Sequence, residues 1–195
     1  MSGRGWRAVK RELRTDFRLM TIDFLVNAVL GSDLVPRPLR HVGYRALGMP
    51  TATPNVMPGL RMSGSRKRVS LGRGTFVNRG CFFEAVGHIS VGQDCQVGPE
   101  VMILTSHHER NGEGLIAKIA LPRDVVIGDR VWLGARALIT PGVTIGDDVA
   151  IGAGAVVTRD CLTPGVYAGV PARLLPASAA PLHAGTARSV EERTA

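Results

Sequence analysis

The chain has few aromatic side chains, few cysteines and no long apolar run, and each shortage excludes a class of protein. Aromatic residues make up 5% of the 195 residues, which suits a narrow protein interior. Three cysteines are too few for a disulfide framework, so we expect buried thiols in a reducing, cytoplasmic environment. The apolar run FLVNAVL has seven residues and contains Asn27, and the N-terminal region lacks the clean apolar run of a signal peptide.

Acidic residues are outnumbered by basic ones, which gives a formal net charge of +8. Many basic side chains lie between the N-terminus and Arg68, but not in one run, and no RNA- or DNA-reading motif accompanies them. We therefore expect no nucleic-acid partner. A solvated surface accounts for the charge, and a phosphate-bearing ligand or an anionic surface is the alternative.

Large aliphatic residues recur at steps of six through the second half of the chain. The residue two positions earlier is small and apolar, and the residue that follows is Gly or Thr. In a strand both apolar positions point the same way, and we expect glycine at the corners because it accepts a positive φ. Three hexads close one triangular coil, so the repeat predicts a mainly β fold, a β-helix of stacked coils. The repeat residues are Ile127, Leu133, Ile139, Ile145, Ile151 and Val157.

The repeat continues upstream with two interruptions. The step from Phe83 to Val91 is eight residues, which predicts a two-residue bulge between them. After Ile103 the phase is lost until Ile127, so we expect residues 107–123 to form a loop extruded from the coil. Long loops on a rigid scaffold often carry function.

The N-terminal region shows a helical period from about residue 6 to residue 30, and a short second helix to Leu47 is plausible after Pro38. We expect this arm to pack on the coil or on another subunit. A peripheral membrane contact through a basic amphipathic helix is the less favoured alternative. The sequence therefore divides into a helical arm (1–60), a β-helix domain (61–176) and a disordered tail (177–195).

Four stretches carry a resemblance to a known family. They are FVNRGC (76–81), ILTSHH (103–108), VVIGDRVWLGARALITPGVTIGDDVAIGAGAVVTRD (125–160) and AGVPAR (168–173). Through them the chain resembles the hexapeptide-repeat acyltransferases, in particular the galactoside/maltose O-acetyltransferase group. The resemblance implies a left-handed parallel β-helix, a homotrimer with active sites between subunits, and acetyl-CoA as the acyl donor. No metal is expected.

The resemblance also implies site residues by position. His108 matches the catalytic histidine, and His107 is the alternative because two histidines are adjacent here. Asn78 matches an active-site asparagine, although a corner residue that tolerates left-handed backbone is another reading of it. Trp132 is expected to pack against the extruded loop or a neighbouring subunit. Acetyl-CoA contacts are implied at Ala135, Ala153, Thr158, Arg159 and Arg173, the two alanines through backbone groups.

The reaction implied is transfer of an acetyl group to a hydroxyl of a saccharide or a sugar-containing small molecule. A neutral imidazole would remove the hydroxyl proton, because histidine titrates near the working pH. Transfer would be direct, without a covalent enzyme intermediate. The alternative of N-acetylation of an amino sugar stays open, because the same base serves an amine. A simple galactoside or maltose is disfavoured, because at positions where the family contacts the sugar Phe76 stands in place of the usual Tyr, and Val86 and Gly64 replace polar residues.

Two rival functions come from other classes. A zinc lyase of the γ-carbonic-anhydrase type needs three converging histidines, and the coil offers only His88, His107 and His108. Adjacent histidines on a strand point to opposite faces, which disfavours that site. A non-catalytic β-helix scaffold would favour long, regular outward ladders, which the bulge and the extruded loop interrupt.

Overall fold

The computed structural model describes residues 20–110, 112 and 114–176, together with residues 13 and 17. Within them the chain winds about five turns of a parallel β-helix, as the hexad repeat predicts. The predicted tail (177–195) and most of the segment 1–19 lie outside the described residues. No helix in the described part is long and apolar enough to cross a membrane.

Each turn contributes one short strand to each of three parallel sheets, which are the faces of a triangular prism. Face A contains β2 (Val69–Leu71), β5 (Ile89–Val91), β10 (Val125–Ile127) and β13 (Thr144–Ile145). Face B contains β3 (Phe76–Val77), β6 (Gln96–Val97), β11 (Trp132–Leu133), β14 (Val149–Ile151), β16 (Gly165–Ala168) and the antiparallel β17 (Arg173–Leu174). Face C contains β1 (Arg61–Gly64), β4 (Phe82–Ala85), β7 (Met102–Leu104), β12 (Leu138–Ile139) and β15 (Val156–Val157).

The repeat residues fill the interior of the prism. Ile127 pairs with Ile145 and Leu133 with Ile151, so each repeat residue stacks on the one 18 positions later. Eighteen residues are three hexads, which is one turn. All six repeat residues of the second half are at most 2% exposed, and the small residues two positions earlier are buried as well. Burial of these two columns is the main stabilising contribution to the fold.

The glycine that follows each repeat residue is needed for a different reason from the one expected. Gly128 and Gly134 do not have a positive φ; that conformation falls two residues later, at Arg130 and Arg136. A Cβ atom on Gly134 would lie 2.5 Å from the Ala153 amide nitrogen in the next turn. The glycine is therefore required by the close stacking of successive turns.

The extruded loop is an antiparallel hairpin. Strand β8 (Ser106–His107) pairs with β9 (Leu121–Pro122), and the hairpin leaves the prism between face C and face A. Its base is closed by a hydrogen bond from the Arg123 N–H to the Thr105 carbonyl at 2.8 Å. The predicted interruption after Ile103 is confirmed.

Helical segments lie at the N-terminal end of the prism. In the described part of the chain, α-helical residues 20–23 continue into a π-helix at Phe24–Leu30, and helix α1 spans Arg37–Ala46. The Asn27 side chain accepts from the Met62 N–H at 2.7 Å and donates to the Met62 carbonyl at 3.0 Å, which ties the π-helix to β1. Upstream of residue 61, single bridges join Thr51 to Leu71 and Val56 to Val77, so the backbone already stacks on the first full turn.

Candidate functional site

A cavity of about 450 Å³ lies on face B and extends to the edge that face B shares with face C. Its wall is the outward column of face B, in which Phe76, Gln96, Trp132 and Ala150 pair in register. Trp132 is 52% exposed, and the neighbouring Ala150 is small enough to leave space beside the indole ring. The cavity therefore has an aromatic side and an open backbone edge.

Asn78 lies at that edge and lines the cavity. Its N–H donates to the Val97 carbonyl at 2.9 Å, and its side-chain Oδ1 accepts from the Arg79 N–H at 2.8 Å. Asn78 does not have a positive φ, so the left-handed corner reading does not apply. Among the described residues the Nδ2 group has no hydrogen-bond partner and is available to a ligand, and Oδ1, which accepts one hydrogen bond, keeps a second acceptor site.

Ala135 and Ala153 lie at the same edge, in successive turns, and line the cavity too. Within the described residues, neither of their amide N–H groups donates a backbone hydrogen bond. The Ala135 carbonyl, in contrast, accepts from the Gly154 N–H at 2.8 Å. The edge thus presents two unpaired backbone donors to the cavity.

The neighbouring edge, between face A and face B, shows how such donors are otherwise satisfied. There the Asp129 N–H donates to Asp147 Oδ1 at 2.8 Å, and the Gln93 N–H donates to Asp129 Oδ1 at 2.8 Å. Ala135 and Ala153 occupy the hexad positions that correspond to Asp129 and Asp147. Alanine instead of aspartate at position 153 therefore leaves the Ala135 amide, one turn earlier, without such a cap.

His108 lies at the base of the hairpin and is exposed. Its Nδ1 is 2.9 Å from the Ala117 carbonyl oxygen. A carbonyl oxygen only accepts, so Nδ1 carries the proton in this contact and Nε2 of the neutral ring is left as an acceptor. The Ala117 N–H in turn donates to the Glu109 carbonyl at 2.8 Å, which holds the two arms of the hairpin together.

His107 is the last residue of β8 and is half-buried. It pairs with Leu121 across the hairpin. The preceding residue, Ser106, donates its hydroxyl to Glu84 Oε2 at 2.7 Å and its N–H to the same oxygen at 3.2 Å. Glu84 therefore anchors the hairpin strand to β4, beside the histidine pair.

One chain does not bring the histidines to the cavity. His107 and His108 follow the edge between face C and face A, whereas Asn78 lies on the edge between face B and face C. Neither histidine lines the cavity that Asn78, Ala135 and Ala153 share.

The remaining predicted positions lie near the C-terminal end of the prism. Arg159 and Arg173 line a small hollow of about 130 Å³ together with Asp160 and Tyr167. Both arginines are exposed, and Thr158 beside them is exposed as well. Guanidinium groups can donate to phosphate oxygens, and the Asp160 carboxylate of opposite charge lines the same hollow.

The three cysteines are buried in the prism, as predicted. Desolvation raises the pKa of Cys81 and of Cys161 to about 11, so both remain thiols at neutral pH. Among the described residues, no group of three His, Cys, Asp or Glu side chains could hold a metal ion.

Sequence reasoning selected this site only in part. The resemblance placed Phe76 at a sugar-contacting position and the backbone of Ala135 and Ala153 at acetyl-CoA, whereas Gln96 was not selected and Trp132 was expected to pack rather than to line a cavity. The unpaired amides have a readable signal, since Asp129 and Asp147 in one column contrast with alanines in the next. The difference between aspartates in one column and alanines in the next can be interpreted only when it is known that residues 18 positions apart stack on each other.

Known proteins share the repeat and the sequence around it. The model of the bacterial transferase hexapeptide (six repeats) matches residues 124–159. Nodulation protein L of Rhizobium meliloti (strain 1021) is 44% identical over 106 residues, which are 54% of this chain and 58% of that protein. The chain thus spans little more than half the length of this curated relative.

Two solved structures are similar over more of their length. A maltose O-acetyltransferase from Clostridium difficile 630 has a TM-score of 0.68 and 33% sequence identity, covering 80% of this chain and 82% of that one. A galactoside acetyltransferase in complex with coenzyme A has a TM-score of 0.69 and 25% identity, covering 82% and 78%. Repeat, fold and identity agree, and the chain belongs to the hexapeptide-repeat acetyltransferase family.

Proposed function

We propose that the protein is an acetyl-CoA-dependent O-acetyltransferase that acts on a hydroxyl of a saccharide or a sugar-containing small molecule. The observation that carries the proposal is the pair of unpaired amides at Ala135 and Ala153, in the same cavity as Asn78. Unpaired backbone N–H groups of residues that line a cavity are suited to an acyl oxygen that becomes negative during transfer.

The donor lies along the edge between face B and face C. Its thioester end occupies the cavity, where the Ala135 N–H donates to the carbonyl oxygen. Its phosphates lie near Arg159 and Arg173, at the C-terminal end of the prism. The solved galactoside acetyltransferase with bound coenzyme A supports this choice of donor.

His108 is the general base. In the neutral ring the Nδ1–H is held by the Ala117 carbonyl, which leaves Nε2 as the nitrogen that accepts a proton. Nε2 removes the proton of the acceptor hydroxyl as the oxygen attacks the thioester carbon. The tetrahedral intermediate then expels the thiolate of coenzyme A, which takes the proton from the imidazolium. The acetyl group is thereby moved directly, and Asn78 Nδ2 orients a reacting group.

The site is completed by a neighbouring subunit in a homotrimer. His108 lies at a different edge of the chain from the cavity, so the base of one subunit serves the cavity of the next. The hairpin that carries it exposes Ile116 and Ile119 at 63% and 77%, which favours burial against a second copy. A closed ring of three copies uses this contact three times.

The acceptor sugar binds at the aromatic side of the cavity. Phe76 and Trp132 offer ring faces, which suit the apolar face of a sugar ring, while Gln96 offers a hydrogen-bonding amide. The cavity volume of about 450 Å³ is in the range of small-molecule sites.

A transfer screen tests the proposal. The purified protein is given acetyl-CoA with sugars, nucleotide sugars and aminoglycosides, and release of free thiol is followed together with the mass of the product. We expect acceptor-dependent thiol release, with the acetyl group on a hydroxyl. Acetylation of an amine instead would convert the proposal to N-acetyl transfer, and no binding of acetyl-CoA at all would contradict it.

A further inference from the structure

Helix α1 buries an arginine and a tyrosine and exposes two large aliphatic side chains, which an ordinary surface helix would bury. Arg40 and Tyr44, one turn apart, are 1% and 0% exposed. Leu39 and Val42, on the opposite side, are 63% and 61% exposed. A helix held only by hydrophobic contact would turn over and bury these two aliphatic side chains.

Arg40 prevents that rotation, because its guanidinium group is held by four main-chain carbonyls. Nε donates to Leu30 at 2.6 Å and Nη1 to Val56 at 2.8 Å, while Nη2 donates to Ser32 at 2.8 Å and to Val35 at 2.7 Å. If the helix rotated, the buried Arg40 donors and their carbonyl acceptors would lose their partners. The free energy lost in this way exceeds the free energy gained by burying the two aliphatic side chains. The outward apolar side is therefore a fixed feature of the fold.

The exposed apolar side chains extend beyond α1. Leu34, in the turn that precedes the helix, is 91% exposed, and Phe24 of the π-helix is 62% exposed. The π-helix packs closely on α1, where a Cβ atom on Gly43 would lie 2.5 Å from Leu30 Cδ2. Large apolar side chains on two packed helices thus face outward at the N-terminal end of the prism.

Basic side chains lie beside this apolar surface. Arg45 is exposed on α1 itself, and the 3-10 helix Arg66–Arg68 packs against the end of α1. Arg66 Nε donates to the Leu47 carbonyl, and the Lys67 side chain lies against Gly48, 3.2 Å from the position of a Cβ atom there. No acidic residue occurs between Asp33 and Glu84 in the sequence.

The net charge is also distributed unevenly along the chain, and the N-terminal part is the basic one. The part of the chain from Met1 to Phe83 contains 15 Lys and Arg but 4 Asp and Glu, a net +11. The part from Glu84 to Ala195 contains 9 Lys and Arg and 12 Asp and Glu, a net −3. Among the described residues, those from 20 to 83 contain 9 Lys and Arg and 2 Asp and Glu, a net +7, so their positive charge is concentrated at the end of the prism that carries α1.

We propose that this docking face, formed by Leu34, Leu39, Val42, Arg45 and Arg66–Arg68, binds an anionic lipid surface. Aliphatic side chains that enter the interface, flanked by basic groups that meet lipid phosphates, are what such a surface selects. The docking face is separate from the proposed acetyl-transfer site, so its test does not depend on that function.

Two other partners fit the same face less well. A second copy would place two strongly positive ends against each other, which like-charge repulsion opposes. A nucleic acid would pair with the basic groups but would leave Leu34, Leu39 and Val42 without apolar contact. Lipid is the partner that uses both halves of the face.

The test is co-sedimentation of the full chain with vesicles. One set is phosphatidylcholine with about 30% phosphatidylglycerol and the other is pure phosphatidylcholine, both at about 0.1 M salt. We expect the protein to pellet with the anionic vesicles only, and to be released at high salt. The variant carrying Arg45→Ala and Lys67→Ala should bind about 25-fold more weakly, from about fivefold per basic residue.

The apolar half is tested with Leu39→Ser combined with Val42→Ser, which should weaken vesicle binding at least about tenfold. Leu162→Ser, at an exposed leucine near the other end of the prism, and Lys118→Ala are matched controls that should leave binding unchanged. Failure of the unmodified protein to pellet, or binding that the α1 variants leave intact, overturns the proposal. So does binding to an oligonucleotide but not to vesicles, or a change of oligomeric mass in the serine variant without lipid binding.

Discussion

Asp147 Oδ1 caps the amide N–H of Asp129 at 2.8 Å, one turn earlier in the prism. Ala153 has the same relation to Ala135, but a methyl group cannot accept a hydrogen bond. One edge of the prism is therefore closed by side chains, while the equivalent position on the next edge is left open to the cavity.

Ala153→Asp should close the open edge. The new carboxylate would reach the Ala135 N–H as Asp147 reaches that of Asp129, and it would place a negative charge where the oxyanion develops. We expect turnover to fall by about 100-fold or more, with little change in melting temperature. Asp147→Ala is the matched control, because it uncaps an amide away from the cavity and should keep full turnover. Equal activity of Ala153→Asp and the unmodified protein would contradict the oxyanion role.

The two histidines can be separated by substitution. His108→Ala should lower turnover by about 100- to 10,000-fold, the usual contribution of a general base, and should leave the acetyl-CoA dissociation constant nearly unchanged. His107→Ala should have a much smaller effect, because the structure gives His107 no contact comparable to the one between His108 Nδ1 and Ala117. Turnover and calorimetric binding check both variants, and a reversed order would assign the base to His107.

A mixture of inactive subunits tests whether the site is shared. His108→Ala and Asn78→Ala should each be inactive when assembled alone. In each trimer that contains both variants, one of the three interfaces joins an intact histidine to an intact asparagine, so about a third of the sites in these mixed trimers should recover. Co-expression with two affinity tags, followed by assay of the doubly tagged trimers, measures the recovery. No recovery would place His108 and Asn78 in one chain's site, or separate them altogether.

The fold could be read from the sequence because its cause is local and repeated. Ile127 and Ile145 are both buried since a coil of three hexads must stack each repeat residue on the one 18 positions later. The glycine columns were also visible, but their reason was not. Whether a glycine serves a positive φ or a close approach depends on where the next turn passes, which the sequence does not state.

The arm was harder to read because its packing is decided by distant partners. The helical period favours burial of apolar residues, whereas α1 buries Arg40 and exposes Leu39. The four carbonyls that hold Arg40 come from residues 5 to 16 positions away, and one of them, that of Val56, belongs to the segment that stacks on the first full turn of the prism. The spacing of apolar residues in the sequence does not indicate hydrogen bonds between a buried arginine and distant carbonyls. The same limit applies to the site, where His108 and the cavity lie on different edges.

The close-approach explanation of the glycine columns predicts a stability difference. A Cβ atom on Gly72 would lie 2.3 Å from the Gly92 carbonyl oxygen and 2.4 Å from its carbon, so the two turns must separate. Gly72→Ala should lower the free energy of unfolding by about 1–3 kcal/mol, the usual cost of overpacking. A Cβ atom on Gly112, in the hairpin, would have no other atom within 4 Å, so Gly112→Ala should change the free energy of unfolding by less than about 0.5 kcal/mol. Urea unfolding compares them, and equal stabilities would reject the explanation.

The buried thiols predict how stability depends on alkaline pH. Burial raises the pKa of Cys81 to about 11, above that of an exposed thiol, so the unfolded chain releases this proton first as pH rises. Stability is therefore complete below about pH 9, near the pKa of an unfolded thiol, and declines as pH rises towards 11. Cys81→Ala should flatten this decline, and alanine fits because Ala137 and Ala155 occupy the same column. Melting temperatures between pH 8 and 11 measure the effect, and a slope unchanged by the substitution would show that Cys81 does not cause it.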